Sequence, residues 1–247
     1  MKWTEAERAE NEAALNEMSL LQKALHYLTY YKRPIIFIAV PLIFLLNMLY
    51  LHFTREEPVL YCGFINVAVG QQLENRLTTD FVVSMNESPG KKIVYTYSDL
   101  YLALDPSTED HQYAYASRMK LLATIQNQTL DVVLMNREAY DILSANGYLL
   151  ALPDFLSQDA GLAADLAPYL TENTVILEDN QIEFDLGTAD EYWSETEEVV
   201  NGLDVSGFPV FTEAGFSDEL YLGVIGNTAR PETVRHYIGY LNMAETG

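Results

Sequence analysis

In DVVLMNREAYDIL (131–143) an unbroken apolar run passes directly into Asn136, Arg137 and Glu138. An amide, a guanidinium and a carboxylate in consecutive positions can both donate to and accept from a polar ligand. A second triplet, Tyr97, Ser98 and Asp99, ends the run that begins KIVYT (92–96). In open parallel sheets, ligands sit beyond the carboxyl ends of strands, where helices begin. Tyr97, Ser98, Asn136 and Glu138 are therefore the candidate ligand-binding residues. A plainer role competes for two of them: Asn is a favoured N-cap, and Glu in a first helical turn complements the helix dipole. Arg137 fits a solvated surface better than a ligand clamp.

Catalytic chemistry finds less support. The chain holds no HExxH, CxxC, GxSxG or Gly-rich phosphate loop. His26, His52, His111 and His236 are scattered, and the acidic run DEYWSETEE (190–198) lacks the alternating ligand spacing of a calcium loop. The reading is a non-enzyme with no cofactor and no metal. Cys62 is the single cysteine, so no intrachain disulfide can form, and its apolar surroundings predict a core position.

Fourteen basic residues face 36 acidic ones, a net charge of -22, which argues against a nucleic-acid partner. No Lys or Arg occurs between Arg137 and Arg230, while acids recur throughout. Such a surface repels anionic ligands at long range.

The elements that position these residues alternate in type. VLYCGFINVAV (59–69), KIVYTYS (92–98) and LDVVLM (130–135) read as strands. QQLENRLTTDF (71–81), YAYASRMKLLATIQNQ (113–128) and REAYDILSAN (137–146) read as helices, with DPSTED (105–110) a polar loop and Gly147 a helix stop. This alternation predicts an α/β fold with a parallel-rich sheet and helices on both faces. Further on, TVILEDNQIEFDL (174–186) predicts a hairpin turning at Asp179-Asn180, and ELYLGVIGN (219–227) a buried strand. Pro231 opens a last helix, and 187–218 is turn-rich.

Ahead of this domain, Pro34 to Phe53 carries no formal charge over twenty residues. At about 1.5 Å per residue it matches the thickness of a bilayer's hydrocarbon core. Lys23, Lys32 and Arg33 precede it, whereas Arg55 follows beside Glu56 and Glu57. The positive-inside rule then places residues 1–33, including a predicted helix over 4–31, in the cytoplasm. Residues 34–53 form a retained single-pass transmembrane helix, and 58–247 an extracellular domain. Bulky residues around Cys62 and the lack of an A-x-A site argue against cleavage.

TIQNQTLDVVLMNREAYDILSANGYLLALPDFL (124–156) and ELYLGVIGNTARPETVRHYIGYL (219–241) resemble the extracellular solute-binding proteins of bacterial ABC importers, the type II periplasmic-binding-protein fold. YYKRPII before the span is similar to membrane-anchored proteins of Gram-positive clostridia. The resemblance implies a solute-binding lobe, a small-molecule or peptide ligand and a transporter as a possible membrane partner. An outer domain of about 190 residues implies that the second lobe is reduced. The leading expectation is a membrane-anchored extracellular binding or sensing module. The alternative is an accessory or scaffold subunit that docks another protein through its acidic outer domain.

Overall fold

The computed structural model describes Thr4, Glu5, Ser19, Gln22 and residues 32–104, 111–188, 190–216 and 218–243. Apart from those first four residues, the helix expected over 4–31 lies outside the described residues, as does the DPSTED loop. Two compact units divide the chain, Met1–Arg55 and Glu56–Gly247.

In the first unit, α1 (Lys32–Thr54) is a 23-residue helix that contains Pro41. Every large apolar side chain described between Ile36 and Leu51 is exposed, Phe37 to 81%. The described part of this helix thus turns no polar face to water. Among the described residues no helix is long and apolar enough to cross a membrane. The described side chains of α1 are those of residues 36–51 and Thr54.

The second unit is built on one six-stranded sheet with strand order β2-β1-β3-β6-β5-β4. The strands are β1 (Glu57–Ile65), β2 (Lys92–Leu100), β3 (Val132–Met135), β4 (Leu170–Asp179), β5 (Ser194–Asp204) and β6 (Tyr221–Val224). β1 pairs in parallel with β2 and β3, while β3–β6, β6–β5 and β5–β4 are antiparallel. The expected parallel-rich sheet is therefore mixed. Helical segments continue to separate the strands beyond the third, but only the first three strands pair in parallel, and β4 and β5 form an antiparallel hairpin.

Period-two patterning sends the strand side chains to two cores. Leu60, Cys62, Phe64, Val132, Leu134, Leu222 and Val224 join one cluster. It is covered by α2 (Gln71–Asn75 and Phe81–Ser84, joined by a π-helical segment Arg76–Asp80), α5 (Leu152–Leu156), α6 (Ala160–Leu166), α8 (Pro209–Thr212) and α9 (Pro231–Asn242). Ile65, Val133, Met135 and Tyr221 join the other, covered by α3 (His111–Gln126) and α4 (Arg137–Ala145). Helices thus lie on both faces. Each fully buried Leu or Phe contributes about 1.5–3 kcal/mol relative to an exposed one.

The hairpin expected to turn at Asp179-Asn180 forms differently. Gln181–Asp185 is a helical turn, α7, and β4 pairs instead with β5, which lies within the turn-rich stretch 187–218. α4 is bolted to this hairpin by a buried polar network. The Tyr140 hydroxyl lies 3.0 Å from Thr171 O and 2.9 Å from Asn201 Oδ1, two acceptors that share its one proton. Asn201 Nδ2 donates to Ser144 Oγ at 2.8 Å, and Ser144 to Thr174 O at 3.0 Å. Gly202 makes room for the ring, since a Cβ there would lie 2.5 Å from the Tyr140 hydroxyl. Gly147, at φ +67°, ends the turn after α4 in the left-handed region.

Candidate functional site

α4 starts where it does because Asn136 has an extended backbone (φ −75°, ψ 175°) and its Oδ1 accepts from Ala139 N at 3.0 Å. The cap expected of Asn136 is thus present. The same oxygen accepts from Asn66 Nδ2 at 3.2 Å. Asn66 directly follows β1 and sits at φ 58°, a left-handed conformation that Asn tolerates. Its side chain also accepts from Leu102 N at 2.9 Å and donates to Leu102 O at 2.5 Å. One amide therefore ties the ends of β1 and β3 to the segment after β2. Asn136 Nδ2 donates to nothing among the described residues.

Glu138 stands in the first turn and its Oε1 accepts from Leu104 N at 3.0 Å. Arg137 is pinned by Asp141 at 2.9 Å, with its guanidinium 5.5 Å from the Tyr140 ring and 5.6 Å from that of Tyr221. Those rings stack at 5.0 Å. The Tyr221 hydroxyl raises the Arg137 pKa further, with desolvation opposing it and Asp141 adding to it.

Asn66, Val67, Ala68, Asn136, Arg137, Glu138, Phe216, Asp218 and Glu219 enclose a crevice of about 410 Å³. It lies at the carboxyl ends of β1 and β3, beside the start of β6. Its described lining offers amides, a guanidinium, carboxylates and apolar surface, and no hydroxyl, thiol or imidazole. That set suits recognition and orientation of a polar ligand. A larger depression of about 740 Å³, lined by Asp159, Arg235 and His236 among others, lies on the helical flank of α6 and α9, away from strand ends. Among the described residues no group of three or more His, Cys, Asp or Glu could hold a metal.

Of the four expected residues, Asn136 and Glu138 come together in the crevice; Tyr97 and Ser98 do not line it. β2 runs on to Leu100, so both belong to the strand itself, at an edge of the sheet. Tyr97 packs at 5.0 Å from Tyr95, under Lys120 Nζ at 5.5 Å from its ring. Lys120 also pairs with Asp99 at 2.6 Å and, as hydrogen-bond donor, holds that carboxyl below its usual range. Ser98 is exposed. The sequence reading passes over Asn66, although a lone Asn interrupting the apolar run GFINVAV was the available signal.

The chain matches no family model, no curated protein and no solved structure.

Proposed function

We propose that this protein is a membrane-tethered binding module, whose outer unit resembles one lobe of an extracellular solute-binding protein and receives a small molecule or peptide. The crevice carries the reading: about 410 Å³ at the carboxyl ends of two adjacent parallel strands, where α/β sheets receive ligands. Asn136 supplies a fixed amide donor there, Glu138 an acceptor and Arg137 a cation, while Phe216, Val67 and Ala68 supply apolar contact. In the tether, the exposed apolar side chains of α1 between Ile36 and Leu51, interrupted by Asn47, support a span over 34–53, with the N-terminus cytoplasmic and 58–247 outside. A transporter is the membrane partner such a module would serve.

The test uses Asn136 twice, on the full chain in neutral detergent. A panel of small polar solutes and short peptides is screened by thermal shift, since a ligand that binds only the native state raises stability, by about 2.7 kcal/mol at a hundredfold excess over Kd. Asn136→Ala removes the cap and should cost about 1 kcal/mol. Asn136→Asp keeps the accepting oxygen and adds favourable charge at the helix start, but deletes the Nδ2 donor. Stability should therefore hold while affinity falls about ten- to a hundredfold. Wild-type affinity in Asn136→Asp would reduce this residue to a cap.

A further inference from the structure

The β4–β5 hairpin extends into solvent: every residue described from Leu177 to Glu198, except Asn180, is exposed. Its tip nevertheless has a fixed form. Buried Asn180 donates from Nδ2 to Glu191 O at 2.9 Å and accepts from Trp193 N at 2.8 Å. Its backbone N donates to Trp193 O at 3.2 Å, which closes the loop around α7. Phe184 meets Tyr192 edge-on, with centroids 6.1 Å apart.

This closed loop displays apolar surface rather than hiding it. Leu177, Ile182, Phe184, Leu186, Tyr192 and Trp193 are exposed by 38% to 74%. Singly exposed apolar residues are ordinary, but a group of them on one projection marks an interaction site, and Trp and Tyr are favoured anchors. Among them stand Glu178, Asp179, Asp185, Asp190, Glu191 and Glu195, with no Lys or Arg between Arg137 and Arg230.

We infer that the tip of the β4–β5 hairpin is a docking surface for a protein segment presenting an apolar face rimmed by Lys or Arg. Charge selects this occupant. A second copy of the chain would set acids against acids, and anionic lipid would be repelled. Basic side chains around an apolar anchor would meet the acidic rim at its wet edge, where opposite potentials speed encounter. The inference is independent of the crevice.

The probe is a labelled amphipathic helical peptide with a Leu face and Lys flanks, its Glu-flanked counterpart, and phosphatidylcholine vesicles. Each is titrated against the full chain in neutral detergent (against the chain reconstituted in bilayers for the vesicles) and followed by anisotropy or co-sedimentation. The Lys peptide should bind and the Glu peptide should not. Trp193→Ser combined with Ile182→Ser should weaken the Lys peptide about tenfold or more. Both residues are exposed, so melting should be unchanged; should that variant unfold, Leu186→Ser replaces it. Unchanged peptide binding in a folded apolar variant would show diffuse attraction to net charge, and overturn the inference. Vesicle binding as strong as peptide binding, or self-association that the variant abolishes, would overturn it in favour of a membrane or a second copy.

Discussion

Removing the guanidinium of Arg230 should cost more than a surface ion pair is worth, because its partner is fully buried. The Asp131 side chain has no exposure, and Arg230 is 27% exposed. Asp131 Oδ2 accepts from Tyr61 N at 2.9 Å and Oδ1 from Thr228 Oγ1 at 2.6 Å, while Arg230 Nη1 reaches both oxygens at 3.3 and 3.4 Å. Exposed pairs are worth about 0–1 kcal/mol, whereas breaking a buried pair costs about 3–5. This half-wet pair falls between, so Arg230→Ala should lose about 2 kcal/mol. For a unit of this size that is about 4–8 °C in Tm. Asp131→Asn keeps an oxygen for Tyr61 N and offers an amide to Thr228, and should lose about 1–2 kcal/mol. In the double variant no uncompensated charge remains, so the losses should fall short of additive by about 1–2 kcal/mol. Because Arg230 also lies 4.6 Å over the Tyr61 ring, Arg230→Lys separates charge from stacking. The assay is denaturant and thermal unfolding of the full chain in neutral detergent, followed by circular dichroism. A loss under about 0.5 kcal/mol for Arg230→Ala, with additive behaviour, would show that Tyr61 and Thr228 alone hold the carboxylate and would refute the reasoning.

Tyr140→Phe removes the hydroxyl that Thr171 O and Asn201 Oδ1 share and should cost about 2 kcal/mol in the same unfolding assay. Burial pushes the Cys62 thiol up from 9.0 to about 12, and the buried Tyr237 hydroxyl rises as well. The native state then keeps protons that the unfolded chain releases. Stability should be full below about pH 9 and fall as pH rises toward 12, in pH-dependent denaturation curves. A thiol reagent should label Cys62 only upon unfolding; rapid native labelling would place β1 at the surface. Protease applied to intact cells without wall should digest the 58–247 unit and spare a tag on the N-terminus, the reverse pattern inverting the topology.

What could be read from the residues alone divides at β3. Up to Met135, each strand is followed by a helix close to where the residues predict one, and β1, β2 and β3 lie side by side in parallel. After it the local signals divide: Gly147 ends the turn after α4, ELYLGVIGN holds the buried β6 and Pro231 opens α9, whereas the stretch between 174 and 204 misleads. IEFDL alternates like a strand, yet Asn180 closes a loop that makes Gln181–Asp185 helical. SETEE reads as a solvated acidic run, yet pairs with β4 because the hairpin needs a partner strand and not a buried face. Buried faces leave a period in the sequence; solvent-exposed hairpins leave almost none. For the same reason Asn136 was legible and Asn66 was not. A helix start has a residue code, whereas the left-handed turn after β1 is settled by partners 36 and 70 residues away.

The two roles weighed for Asn136 use different atoms. Its Oδ1 is committed twice, to Ala139 N and to Asn66 Nδ2, so side-chain rotation would break both bonds at once. Its Nδ2 therefore has a fixed position at the crevice wall. A cap is thus no evidence against a site. Holding a donor rigid before the ligand arrives removes the ordering cost that a free surface Asn would carry, about 0.5–1.5 kcal/mol for each side chain immobilised on binding. Glu138 follows the same logic, with Oε1 held by Leu104 N. Tyr97 and Ser98 lack it, because they belong to an edge strand and do not line the crevice.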